Sequence, residues 1–168
     1  LFDRLTKQYA KPTFGIDSIE VPGGTIGVVE EIRASMPFCE LLHFKRDFGA
    51  SSGRRKADPT VLLVAPMSGH YATLLRGTVR ALIPDHNVYV TDWRDARSVP
   101  LSSGRFDLDD YIDYVMGFIR ELGDDVHVIG VCQPGPAVVA ATALMAQAND
   151  PCVPSSVTLI GSPIDTRM

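Results

Sequence analysis

An α/β fold, a mainly parallel sheet with crossover helices, is predicted by three features of the sequence. Four short apolar runs rich in β-branched residues recur after Thr60, segments of helical period separate them, and turn-punctuated strands precede them. Residues 13–47 read as antiparallel strands: Ile16 to Val21, then Thr25 to Arg33 beyond the Pro22-Gly23-Gly24 turn, then Phe38 to Lys45 beyond Met36-Pro37. Residues 48–60 form a polar connection rich in Gly, Ser and Arg. The β/α part, residues 60–168, has its strands at Val61 to Ala65, Asn87 to Thr91, Val126 to Val131 and Ser156 to Ile160, read as buried on both faces. Its first helix, Tyr71 to Ile83, is stopped by Pro84. The second, Asp107 to Leu122, sets Leu108, Tyr111, Ile112, Val115 and Ile119 on one stripe, carries acids in its first turn, and ends at Gly123. The third, Ala137 to Ala148, is apolar nearly all round and is expected to lie buried against the sheet. All 168 residues are thus read as one partial domain.

Composition narrows the function. With 45% hydrophobic residues the chain can bury a core. A net charge of -4 argues against a nucleic-acid partner, because affinity for phosphate backbones comes from clustered Lys and Arg. The one basic cluster, Arg54-Arg55-Lys56, reads as a solvated loop and lacks the ending of a P-loop. The longest apolar run, Pro136 to Ala146, is well short of the roughly 20 residues a membrane span needs. Three cysteines and no signal segment fit a reducing, cytoplasmic compartment. No metal or cofactor is called for, since His43, His70, His86 and His127 are scattered without ligand spacing.

Chemistry in such a sheet gathers at the carboxyl ends of its strands. Gly130-Val131-Cys132-Gln133-Pro134-Gly135 runs from a strand into a turn and a helix, which is the nucleophile-elbow arrangement of α/β-hydrolases with Cys in place of Ser. Gly130 would let strand and helix approach, and the helix N-terminus would favour a thiolate and an oxyanion. Pro134 stands where a second small residue is expected, and Gln133 keeps the N–H that an oxyanion hole needs. The alternative is that Cys132 is a small buried hydrophobe at a strand end. A second oxyanion donor is expected from Met67 or Ser68, in the turn Pro66-Met67-Ser68-Gly69-His70. His70 and Trp93 are candidates for a substrate groove; equally, His70 is a loop hydrogen-bonder, and Trp93 sits in a surface loop where Asp92, Asp95, Arg94 and Arg97 pair locally.

In this fold the triad runs nucleophile, acid, histidine along the chain. Residues 133–168 contain Asp150 and Asp165 but no histidine, so the base is missing from its expected place. The expectation is a chain cut before its C-terminal strands and its catalytic half.

Four segments, Ala65-Pro66-Met67-Ser68-Gly69-His70-Tyr71, Tyr89 to Arg97, Asp109-Asp110-Tyr111-Ile112 and Gly130-Val131-Cys132-Gln133-Pro134, together resemble intracellular polyhydroxyalkanoate (poly-3-hydroxybutyrate) depolymerases. The resemblance implies an α/β-hydrolase with a cysteine nucleophile, Cys132, that degrades storage polyester at the surface of cytoplasmic granules. It also implies an acid and a histidine beyond Met168, and further residues before Leu1. A polyhydroxyalkanoate synthase-like acyltransferase, a small-ester hydrolase and a non-catalytic granule-associated protein are the competing readings.

Overall fold

The computed structural model describes residues 11–22, 24–48, 58–68, 71–165 and 167. The Arg54-Arg55-Lys56 cluster and His70 lie outside the described residues. Seven strands form one sheet in the order β1-β2-β3-β5-β4-β6-β7. They are β1 (Ser18–Val21), β2 (Gly24–Met36), β3 (Cys39–Asp47), β4 (Thr60–Val64), β5 (Asn87–Trp93), β6 (Val126–Val131) and β7 (Ser156–Ile160). β1, β2 and β3 pair antiparallel, β3 meets β5 antiparallel, and β5, β4, β6 and β7 run parallel. The antiparallel beginning and parallel continuation predicted above therefore belong to a single sheet.

Three α-helices connect the parallel strands: α1 (Arg76–Leu82), α2 (Leu108–Leu122) and α3 (Gly135–Gln147). The period-2 alternation of β4 divides its side chains between two cores. Leu62 and Val64 join the cluster under α2 and α3, with Val115, Phe118, Ile119, Val138, Ala141 and Met145. Val61 and Leu63 join the opposite one, with Phe14, Phe44, Leu75, Val79 and Ile83. α2 begins with a capping box: the Asp107 side chain accepts from the N–H groups of Asp109 and Asp110, while the Asp110 side chain accepts from the Asp107 N–H.

Several boundaries differ from the sequence reading, each for a physical reason. β2 runs to Met36, because the register shift between Ile32 and Ala34 absorbs one residue and lets pairing with β3 continue to Met36 and Cys39. The helix expected from Tyr71 opens as a 3₁₀ turn over Ala72–Leu75 before α1 begins. β5 continues through Asp92 and Trp93, which pair with Glu40 and Cys39. α3 buries only one face, through Gly135, Ala137, Val138, Ala141 and Met145, leaving Val139 and Leu144 exposed. β7, expected to be buried on both faces, is an edge strand with Val157 and Ile160 open to solvent. Apolar composition marks a strand but does not say what lies beside it.

Candidate active site

β6 delivers Cys132 to the surface in the left-handed region, at φ 66°. For a residue with a Cβ this conformation costs on the order of 1–3 kcal/mol and persists only where the surroundings over-determine it. Here the Cys132 N–H donates to the Ile160 carbonyl of the neighbouring strand at 2.8 Å, and the Cys132 carbonyl accepts from the Gly135 N–H at 3.3 Å. Cys132 is therefore an exposed side chain on a sharp, pinned bend, and the alternative of a buried strand-end hydrophobe does not match its position.

Sterics around the bend fall on two glycines. A Cβ on Gly130 would stand 3.2 Å from Leu159 Cδ2 and 3.4 Å from Val138 Cγ2, so the strand and α3 close tightly at this residue. A Cβ on Gly135 would meet Ser162 Cβ at 2.3 Å, a distance no pair of carbons tolerates. The second small residue that the bend requires is therefore Gly135, while Pro134 adopts helical dihedrals at the N-cap, where its missing N–H costs nothing.

The turn after β4 lies against this bend. The Met67 and Ser68 N–H groups both donate to Oε1 of Gln133, at 2.9 and 3.2 Å, and Gln133 Nε2 donates to Ser68 Oγ at 3.1 Å. Sequence reasoning chose these residues for their backbone amides and missed the Gln133 side chain. That carboxamide oxygen accepts from two converging backbone amides. Trp93 fixes the start of the turn from below: its indole N–H donates to the Ala65 carbonyl at 3.0 Å, while the Ala65 N–H donates to Thr91 Oγ1 at 2.9 Å. Trp93 is buried, in edge-to-face contact with Tyr111 at 4.6 Å and Phe106 at 5.8 Å.

A cavity of about 1490 Å³ opens beside the turn, lined by Met67, Ser68, Tyr71 and Trp93 and by much of the segment from Arg94 to Asp107. Trp93 borders this cavity from the end of β5 rather than from a loop. The local pairing expected of the 92–97 segment holds only for Arg97 on Asp95. Arg94 reaches Glu40, and buried Asp92 pairs with Lys11. Burial raises the Asp92 carboxyl above the ordinary aspartate range, against the opposing pull of Lys11.

The described histidines are engaged elsewhere. His43 bridges Glu31 and Asn87, His86 bonds the Leu82 carbonyl, and His127 bonds Ser156 Oγ at the start of β6. Among the described residues no group of His, Cys, Asp and Glu is arranged to hold a metal, and no helix is long and apolar enough to cross a membrane.

No protein-family model matches the sequence, and no curated protein matches it. Solved structures do. A bacterial membrane phospholipase A described as a virulence factor superposes with a TM-score of 0.57 at 19% identity, over 84% of this chain and 42% of its own. The Francisella virulence factor BioJ gives 0.55 at 13% identity, over 84% and 46%. Esterase 2 of Thermogutta terrifontis gives 0.54 at 8% identity, over 80% and 56%. The fold is of the α/β-hydrolase type, and this chain spans only about half the length of the proteins it resembles.

Proposed function

We infer that this chain carries the nucleophile and oxyanion-binding portion of a thiol-dependent carboxylic ester hydrolase, and that its substrate is an intracellular storage polyester of the poly(3-hydroxybutyrate) type. The observation that carries the first part is the exposed Cys132 at φ 66°, joined through Gln133 to the Met67–Ser68 amides. The esterase and phospholipase among the superposed proteins support it, and the four segments described above support the polyester.

In this reading the Cys132 thiolate attacks the ester carbonyl, forming a C–S bond and a tetrahedral oxyanion. The Met67, Ser68 and Gln133 N–H groups receive that oxygen once the Gln133 carboxamide has swung aside. Collapse breaks the C–O bond; the hydroxyl-terminated chain departs with a proton from a general acid, and water then cleaves the thioester. The steps require a general base and acid; the sequence after Cys132 holds no histidine, and His43, His86 and His127 are bonded elsewhere. The granule surface in the cytoplasm is the proposed place of action.

The test uses a polypeptide that extends residues 1–168 to the length of the superposed hydrolases. Cys132→Ala in that polypeptide is expected to abolish release of 3-hydroxybutyrate from amorphous granules while leaving the circular dichroism spectrum unchanged. Retained hydrolysis overturns the assignment. Polymer growth with release of CoA from hydroxybutyryl-CoA would assign the same thiol to synthesis instead.

A further inference from the structure

The cavity beside the Met67–Ser68 turn carries a charge pattern that the proposed chemistry does not use. Six charged residues line it: Arg76, Arg94, Arg97, Arg105, Asp95 and Asp107. Most are matched internally. Arg97 grips Asp95 through Nε and Nη2, Arg94 binds Glu40 at 2.5 Å, and Asp107 is held by the first amides of α2. Arg76 donates to the Gly15 carbonyl, a neutral partner. Arg105 has no hydrogen bond or ion pair among the described residues. Among the described residues two guanidiniums are thus left without a carboxylate, Arg76 and Arg105.

The rest of the wall is apolar. Phe38, Trp93 and Phe106 lie along it, with Phe38 and Phe106 tilted at 4.7 Å and Trp93 edge-to-face with Phe106 at 5.8 Å. Leu101 and Leu74 also line it and are 98% and 55% exposed. The volume exceeds the usual range for a small-ligand pocket, roughly 300–1,000 Å³. An apolar, aromatic wall with a guanidinium that has no ion-pair partner among the described residues is complementary to an aliphatic chain ending in an anion, and a planar guanidinium can hold a carboxylate through two parallel hydrogen bonds.

We propose that this cavity binds a carboxylate-terminated aliphatic chain, with Arg105 as the anchor for the carboxylate and the Phe38, Trp93 and Phe106 wall as the seat of the chain. Met67 and Ser68 belong both to the cavity wall and to the amide pair that holds the Gln133 side chain, so the cavity adjoins that turn, while Cys132 itself is not in its lining. Its link to turnover rests on the hydrolase reading: the substrate is then an ester whose leaving alcohol carries a terminal carboxylate, as the acid end of a polyester chain does. The binding site itself requires no catalysis.

Trp93 is the only tryptophan in the sequence and lines the cavity, so intrinsic fluorescence reports occupancy directly. The 168-residue chain is titrated with decanoate and with 1-decanol, below their aggregation limits. Decanoate is expected to give a saturable change with a several-fold lower Kd than decanol. Arg105→Ala should weaken decanoate about fivefold, near the upper end for an exposed ion pair, and leave decanol unchanged. Arg105→Lys should retain part of the preference, Arg80→Ala should alter nothing, and 0.5 M NaCl should reduce the preference by screening. Equal affinity for acid and alcohol, an equal loss of both in Arg105→Ala, or no saturable change in Trp93 emission overturns the proposal. The titration does not involve Cys132, so a cavity that binds without hydrolysis and a hydrolase that ignores the carboxylate give different results.

Discussion

At the scale of single residues, the bend at Cys132 depends on two glycines that are not equivalent. Gly130 faces Leu159 Cδ2, the far end of a side chain that can shift, whereas Gly135 faces Cβ of Ser162, which is tied to the backbone. Gly135→Ala is therefore expected to lower stability by roughly 1–3 kcal/mol through overpacking, and Gly130→Ala by clearly less. Urea unfolding of the two variants checks the order; equal midpoints would show that the bend is looser than its geometry. Asp92 gives a second residue-scale prediction. Its carboxyl titrates higher in the fold than unfolded, so its contribution favours the fold fully below the ordinary value of 3.8 and is lost as pH rises through the raised one. Glu31, Asp95, Asp150 and Asp165 are shifted the opposite way by their hydrogen bonds, so the total pH profile hides Asp92. The difference between wild type and Asp92→Asn isolates it: from pH 4 to 7 the variant should gain in urea midpoint relative to wild type. A constant difference refutes the buried carboxylate's role.

At the scale of elements, α2 is the helix whose sequence and structure agree most closely. Its stripe is buried through Tyr111, Val115, Phe118 and Ile119, and Gly123 ends it at φ 91°. Leu108, read onto the same stripe, is 61% exposed, because it sits in the first turn, before the helix has entered the core. Both orphan ends are satisfied locally, so α2 is legible without knowing its neighbours. Asp107→Ala should cost about 1 kcal/mol by removing the box, and Asp107→Asn or Ser distinctly less. Thermal unfolding of the three variants tests the ranking. α1 and β5 were harder to read. The 3₁₀ start of the first helical segment has no capping side chain, and the charged Asp92 hid two further residues of strand. Its partner Lys11 lies 81 residues away, beyond any local pattern.

At the scale of the molecule, the two ends of the sheet differ. β5, β4 and β6 are enclosed between helices, whereas β7 presents an unpaired edge among the described residues, with Val157, Ile160 and nearby Leu144 in water. Exposed apolar edges recruit further strands. The 168-residue chain is therefore expected to self-associate with concentration, and Ile160→Lys to shift it toward monomer without lowering its unfolding midpoint. Sedimentation velocity decides; a wild-type chain that stays monomeric throughout removes the prediction.

The sequence alone determined what is written in short segments: the switch from antiparallel to parallel strands, the stripe and caps of α2, and a cysteine at a strand-to-helix bend after Gly130. These follow from steric and periodic rules acting over a few residues. Only the tertiary structure decided that the Gln133 side chain spans to the Met67–Ser68 amides, that Trp93 supports that turn, that Gly135 is the crowded glycine, and that Arg105 lines a cavity without an ion-pair partner among the described residues. Each of these joins segments distant along the chain or depends on what a neighbouring strand leaves open, and such contacts are fixed by packing in three dimensions rather than by local preference.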